Sequence, residues 1–304
     1  MPGLQRIAGI GILVGLGVFG LKMLAFALTG SVALYSDALE STVNVVAAII
    51  AFLAIRVAVK PADSQHPYGH HKAEYFSAVV EGVMIVIAAL LILREAYLAI
   101  LAPRAIDAPV LGLAINAVAG LVNACWCWKL FQEGRANSSP ALIADAKHLF
   151  TDVLSTAGVI LGLLLAVLTG WHILDPLLGA IVAVNIVVSG ALLIRNSFSA
   201  LMDESVPDAM LEQIKSVIAR AGEGAIESHD IRTRAAGPAT FIEFHLVVPG
   251  AMQVLEAHDL CDRIERALKS EIPGAVTTIH IEPEHKAKAV MAASAYGFRS
   301  PAQP

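Results

Sequence analysis

Asp145-Ala-Lys-His148-Leu-Phe-Thr-Asp152 and Asp37-Ala-Leu-Glu40-Ser-Thr-Val-Asn44 share one pattern. An Asp is followed by polar residues three and seven positions on, inside runs otherwise rich in Val, Leu, Ile and Ala. On a helix, residues at i, i+3 and i+7 fall along one stripe. Each stretch therefore predicts an apolar helix with one narrow polar face. Ionisable groups at membrane depth are costly, so they face a bundle interior and mark function. Glu40, Asn44, His148 and Asp152 together make a four-ligand oxygen and nitrogen set for a divalent metal. A lone polar residue in such a helix is more often a helix–helix hydrogen bond. Two matching stretches, one with His and Asp at i, i+4, favour metal. Asp37 and Asp145 could line an access path or orient ligands, or could merely cap and pack.

Composition agrees with membrane helices. Of 304 residues, 57% are hydrophobic and 15% charged, unlike a soluble chain. A span needs about 20 apolar residues, and runs at roughly 7–29, 32–57, 76–100, 109–131, 141–169 and 174–196 predict six transmembrane helices. The first carries Lys22, a candidate for snorkelling or for pairing inside the bundle; the third carries Glu74 and Glu81. Arg6, Arg56, Lys60, Lys72, Lys129, Arg135 and Arg195 fall on one side and Arg104 on the other, which predicts cytoplasmic N- and C-termini. The first apolar run is too long for a cleaved leader and continues into the second. Three cysteines make no disulfide framework or thiolate zinc motif. A net charge of −5 counts against a nucleic-acid partner.

Between the second and third helices, Asp63, His66 and His70 recur at three and four residues in a Pro- and Gly-marked loop. They could form a second metal site or simply a hydrated polar loop. After residue 196 the pattern turns soluble. Amphipathic helices at about 208–221 and 254–272 and strands at 226–234, 240–248 and 276–281 predict an αββαβ, α+β domain with its helices on one face of a small mixed sheet. The expected bounds are 1–200 for the membrane domain, 201–285 for the soluble domain and 286–304 for a flexible tail. The soluble part holds His229, His245, His258, His280 and His285, with His280 and Glu282 on one strand face. They are either scattered surface residues or a metal cluster.

Ser36-Asp-Ala-Leu-Glu40, Pro61-Ala-Asp63-x-x-His66-x-x-Gly69-His70-x-Lys72-Ala-Glu74, His148-x-x-x-Asp152 and His229-Asp-Ile-Arg-Thr-Arg234, in this order and spacing, resemble the cation diffusion facilitator family of divalent metal/proton antiporters. The resemblance runs from about Gly9 to Glu282. It implies a homodimer, each protomer with six transmembrane helices and a cytosolic metallochaperone/ferredoxin-like domain, in a bacterial inner membrane. It places the transport site at Glu40, Asn44, His148 and Asp152 and the loop site at Asp63, His66 and His70. A cytosolic dimer-bridging site falls on His229, His245, His258, His280 and Glu282, and a charge interlock on Lys72 and Asp203. The chain departs from many zinc exporters at Glu40, at Asn44 and at Glu282.

With Asn44 neutral, Glu40 and Asp152 supply two charges to a dication. Zn(II) is the leading expectation, with Fe(II), Co(II), Ni(II) and Mn(II) open beside it. The metal is substrate and structural ligand, and no organic cofactor is expected. The expected mechanism is export by alternating access, in which protons and metal compete for the same ligands. A metal-responsive regulatory membrane protein with little transport is the alternative, kept open by Asn44. Without a His-Glu-x-x-His or Ser/His/Asp arrangement, an enzyme is not expected.

Overall fold

The computed structural model describes residues 2–29, 32–101, 110–169, 171, 173–288 and 296–297. The chain divides into two compact units, Met1–Phe198 and Ser199–Pro304.

The first unit is built from α1 (Pro2–Thr29), α2 (Val32–Ala58), α3 (Ala73–Leu101), α4 (Val110–Ala136), α5 (Pro140–Thr169) and α6 (Leu174–Leu201). Windows in α1, α2, α3 and α6 are long and apolar enough to cross a membrane by length and composition. All six helices run 27 to 30 residues, about 40 Å at 1.5 Å per residue. Helices begin or end beyond the expected apolar runs: α3 starts at Ala73, α4 continues to Ala136 and α6 to Leu201. The apolar pattern marks the hydrocarbon slab, whereas a helix satisfies its own backbone and continues past it.

Leu4, Ala8, Ala51, Ile55, Cys127, Leu130, Leu142 and Leu149 form a core shared by α1, α2, α4 and α5. Bulky apolar side chains such as Leu13, Leu24, Leu121 and Trp128 point outward. The buried polar residues lie inside: Lys22, Asn44, Glu81, Asn123, Asp145, His148 and Asp152. This inverted distribution suits a lipid-facing exterior.

Two local devices set the helix positions around α5. Its first turn is capped by Ser139, whose hydroxyl accepts from Leu142 N at 3.4 Å and donates to Glu74 of α3. The same Glu74 carboxylate accepts from Ala141 N at 3.4 Å, so the start of α3 is tied to the start of α5. The second device joins α3 to α6 at two glycines. A Cβ on Gly82 would meet Ile194 Cγ1 at 2.7 Å, and one on Gly190 would meet Val86 Cγ2 at 2.8 Å and Gly82 O at 3.2 Å. Small residues let helix backbones approach closely in a membrane.

The second unit contains α7 (Asp208–Ala221), β1 (Glu227–Ala236), β2 (Ala239–Val248), α8 (Val254–Glu271), β3 (Ala275–Pro283) and a two-residue β4 (Tyr296–Gly297). The sheet order is β3-β2-β1-β4. β1 pairs antiparallel with β2 and β4, and β2 pairs parallel with β3, so the sheet is mixed, as expected. Ile242, Phe244, Leu246 and Val248 alternate along β2 and pack with Ile214, Val217 and Ile218 of α7 and Leu260, Ile264 and Leu268 of α8. Each such side chain contributes about 1.5–3 kcal/mol by leaving water. After β3 the chain forms a 3₁₀ turn over Glu284–Lys286 and adds β4 to the β1 edge. Residues 289–295 and 298–304 of the expected tail lie outside the described residues.

Overpacking a helix contact costs about 1–3 kcal/mol. Gly82→Ile and Gly190→Ile are therefore expected to lower the thermal midpoint of the protein in detergent. Gly17→Ala, whose added methyl meets nothing within 4 Å, should leave it unchanged or slightly raised.

Candidate functional site

Helical spacing puts His148 and Asp152 one turn apart on α5, and both are buried, with 4% and 3% of their surface exposed. Asn44 on α2 is buried to the same degree at 4%. Both His148 ring nitrogens and Asn44 Nδ2 lack a hydrogen-bond partner among the described residues. Buried polar atoms nearly always find partners, and leaving them without one costs a few kcal/mol. Asp152 is held instead: Asn123 Nδ2 of α4 donates to its Oδ2 at 2.6 Å, and Lys22 Nζ of α1 lies 3.3 and 3.5 Å from its two oxygens.

Asp145 sits one turn before His148 and lines a small cleft with Asn44, Asn123, Gly15, Trp126 and Leu149. Its Oδ1 has no partner among the described residues. Asp37 and Glu40 lie on α2, but their side chains are outside the described residues. Asn123 was not singled out from sequence, although a polar residue in an apolar run is the same signal as Asn44. Glu81 of α3 is also fully buried, accepting from Ser77 Oγ at 2.9 Å.

The loop residues do converge. Asp63 Oδ1 accepts from Gln65 N at 2.9 Å and from His66 N at 2.7 Å, an Asx-type turn. Gly69, at φ 84°, then turns the chain so that His70 returns beside it. His66 Nδ1 stands 3.4 Å and His70 Nε2 3.5 Å from the Asp63 carboxylate. One ligating atom from each of the three lies within 4.8 Å of the others. Donation from the His66 backbone N–H, with that of Gln65, holds the Asp63 carboxyl below its ordinary value.

In the sheet, register brings three histidines into one row. His229 of β1 is opposite His245 of β2, which is opposite His280 of β3. Their ring centroids are 5.3 and 4.9 Å apart. Glu282 reaches all three, at 3.3 Å from His229 Nε2, 3.3 Å from His245 Nδ1 and 3.8 Å from His280 Nε2. His229 Nδ1 is 2.8 Å from Glu227 Oε1, which fixes the ring. His258 stands apart on α8, exposed, 3.8 Å from Asp262.

Sequence reading missed Asp230. Strict alternation puts it on the face opposite His229, but a register shift between His229 and Arg232, with Asp230 at φ 52°, turns it. His229, Asp230 and His245 then offer ligating atoms within 4.8 Å. Lys288 bonds to Asp230 and holds its carboxyl below the ordinary value. Of the expected interlock pair, Asp203 meets Arg234 at 3.2 Å within the second unit, and Lys72 lies in the turn before α3.

The sequence matches known proteins over nearly the whole chain. The family profile described as the cation efflux transmembrane domain matches residues 9–202, and that of the cation efflux protein cytoplasmic domain matches residues 206–284. An uncharacterized transporter, sll1263, of Synechocystis sp. (strain ATCC 27184 / PCC 6803 / Kazusa) is 45% identical over 88% of this chain and 86% of its own. The cation-efflux pump FieF of Yersinia enterocolitica is 31% identical over 86% of this chain and 87% of its own. Among solved structures, the zinc form of CzrB is 49% identical, covering 29% of this chain and 99% of that one, at a TM-score of 0.28. The metal-bound C-terminal domain of CzcD from Thermotoga maritima is 29% identical, covering 26% and 94%, at a TM-score of 0.24. The chain is an integral membrane protein that belongs to the cation efflux, or cation diffusion facilitator, family of transporters rather than enzymes.

Proposed function

We propose that this protein expels a divalent transition metal, Zn(II) foremost, from the cytoplasm in exchange for protons. The transport site is Asn44, His148 and Asp152 with Glu40. The observation that carries the reading is the His148 ring, without a hydrogen-bond partner among the described residues, beside a buried carboxylate inside a membrane bundle. Imidazole, carboxylate and amide are borderline-to-hard donors that suit zinc and leave Fe(II), Co(II), Ni(II) and Mn(II) as competitors.

The chemistry of exchange follows from the ligands. An imidazole or carboxylate binds metal only after losing its proton. A proton arriving from the outer side displaces the cation, and losing that proton towards the cytoplasm restores affinity. Asn123 positions Asp152 by a hydrogen bond to Oδ2, while Lys22 Nζ lies 3.3 Å from Oδ1. Asp145, on the same stripe, lines the approach.

The loop triad Asp63, His66, His70 and the cytosolic cluster His229, His245, His280, Glu282 bind the same class of metal. His258, exposed on α8, is the residue available to a second copy, and the working unit is a homodimer. The bilayer is a bacterial inner membrane, with both termini in the cytoplasm.

In proteoliposomes with a pH-sensitive dye inside, Zn(II) entry should be accompanied by proton exit, and Asp152→Ala should reduce both to background. Asn44→Asp adds a third carboxylate and should lower KM for Zn(II) by about tenfold, on the order of 1.4 kcal/mol. Zn(II) binding without flux, with flux appearing only in Asn44→Asp, would make the chain a metal-responsive regulator instead. Glu282→Ala and His245→Ala should each remove cytosolic metal from the full-length protein, read by equilibrium dialysis, while Asp152-dependent flux persists.

A further inference from the structure

Among the described residues Lys22 has the largest fully buried side chain, 1% exposed, two turns before the end of the apolar α1. A lysine can snorkel to an interface by uncoiling its methylene stem; this one keeps its ammonium inside. Both oxygens of Asp152 lie within 3.5 Å of its Nζ. An ammonium at that distance occupies the space and the charge that a metal ion would claim from the same carboxylate. Buried ion pairs seldom repay their desolvation, so a purely structural pair here would be an expensive way to join α1 to α5.

We propose that Lys22 is a positioning residue that acts as a tethered cation, competing with the metal for Asp152 and setting the affinity of the transport site. The inference rests on the reading of Asp152 as a metal ligand. A dication bound there meets the repulsion of a fixed positive charge a few ångströms away, and in a low-dielectric interior that repulsion is large. Binding then requires the lysine to withdraw along its flexible stem. Departure of the metal allows it to return, so Asp152 is not left as a bare buried charge. The device weakens binding and hastens release.

The test is a Zn(II) titration of full-length protein in detergent, with Asp63→Ala, His229→Ala and His245→Ala silencing the other clusters. Lys22→Gln is the main variant, because it keeps a donor for Asp152 while losing the charge. Lys22→Met repeats the test without the donor, and Lys22→Arg restores the charge. Removing the charge is expected to tighten Kd by about tenfold or more and to lower both KM and kcat for Zn(II) flux, since release slows. Lys22→Arg is expected to bring Kd back towards the native value. An Asp152→Asn arm separates the two levels of the argument. If Asp152→Asn abolishes binding but both neutral variants bind Zn(II) no tighter than the native chain, Lys22 is a structural partner and the inference fails. If Asp152→Asn binds as the native chain does, the site assignment itself fails and takes the inference with it.

Discussion

A bilayer offers no water to a carboxylate, and this governs the membrane unit. Ionisable groups kept at that depth are turned inward, and two of them are met from other helices. Asp152 on α5 is met by Asn123 from α4 and Lys22 from α1, and Glu74 on α3 caps the first turn of α5. The helices around α5 are thus placed by polar contacts, while their apolar side chains fill the remaining space and face the lipid. What the network leaves unsatisfied is as informative. Both His148 ring nitrogens and Asn44 Nδ2 are enclosed without a partner among the described residues, as are Asn123 Oδ1 and Asp145 Oδ1 beside them, a group of polar atoms that suits a polar ligand.

The second unit meets a milder constraint by other means. Water is available, so its polar residues need no enclosure and are ordered by strand register. The cross-strand pairing of His229 with His245 and of His245 with His280 follows from the ladder itself, and Glu282 bridges the row. Sheet geometry thus gathers donors from positions about fifty residues apart, as helix geometry gathers His148 and Asp152 from a single turn.

This contrast accounts for what could be read in advance. The six helices and the His148–Asp152 pair were legible because a period of 3.6 residues is local and visible in a line of letters. The succession of helices and the three main strands along the soluble part was legible from alternation and turn residues. Asn123 was not, since its role depends on α4 packing where it can reach Asp152 of α5, which no local pattern encodes. Asp230 was hidden by a bulge, which breaks the alternation that would have been used to place it. Lys22 was visible as an anomaly, but its choice of Asp152 over an interface depends on how the helices assemble around it, which no local pattern encodes. β4 was hidden in an Ala-, Ser- and Pro-rich stretch whose strand character comes only from the β1 edge it meets.

The polar stripe of α5 also bears on how the chain reaches the membrane. Asp145, Lys147, His148 and Asp152 occupy two successive turns, and a single Asp or Lys at mid-span costs about 2.5–3.5 kcal/mol during insertion. Such a helix is a poor candidate to leave the translocon alone. It is joined to α4 by a turn at Asn137–Ser139 in which Ser139 N donates to Gly134 O at 2.9 Å, and Gly134 is packed against Ile143 and Leu142. α4 brings Asn123, the donor that Asp152 needs. The α4–α5 hairpin is therefore a better unit for entering a bilayer than α5 alone, because it carries the donor along with the carboxylate.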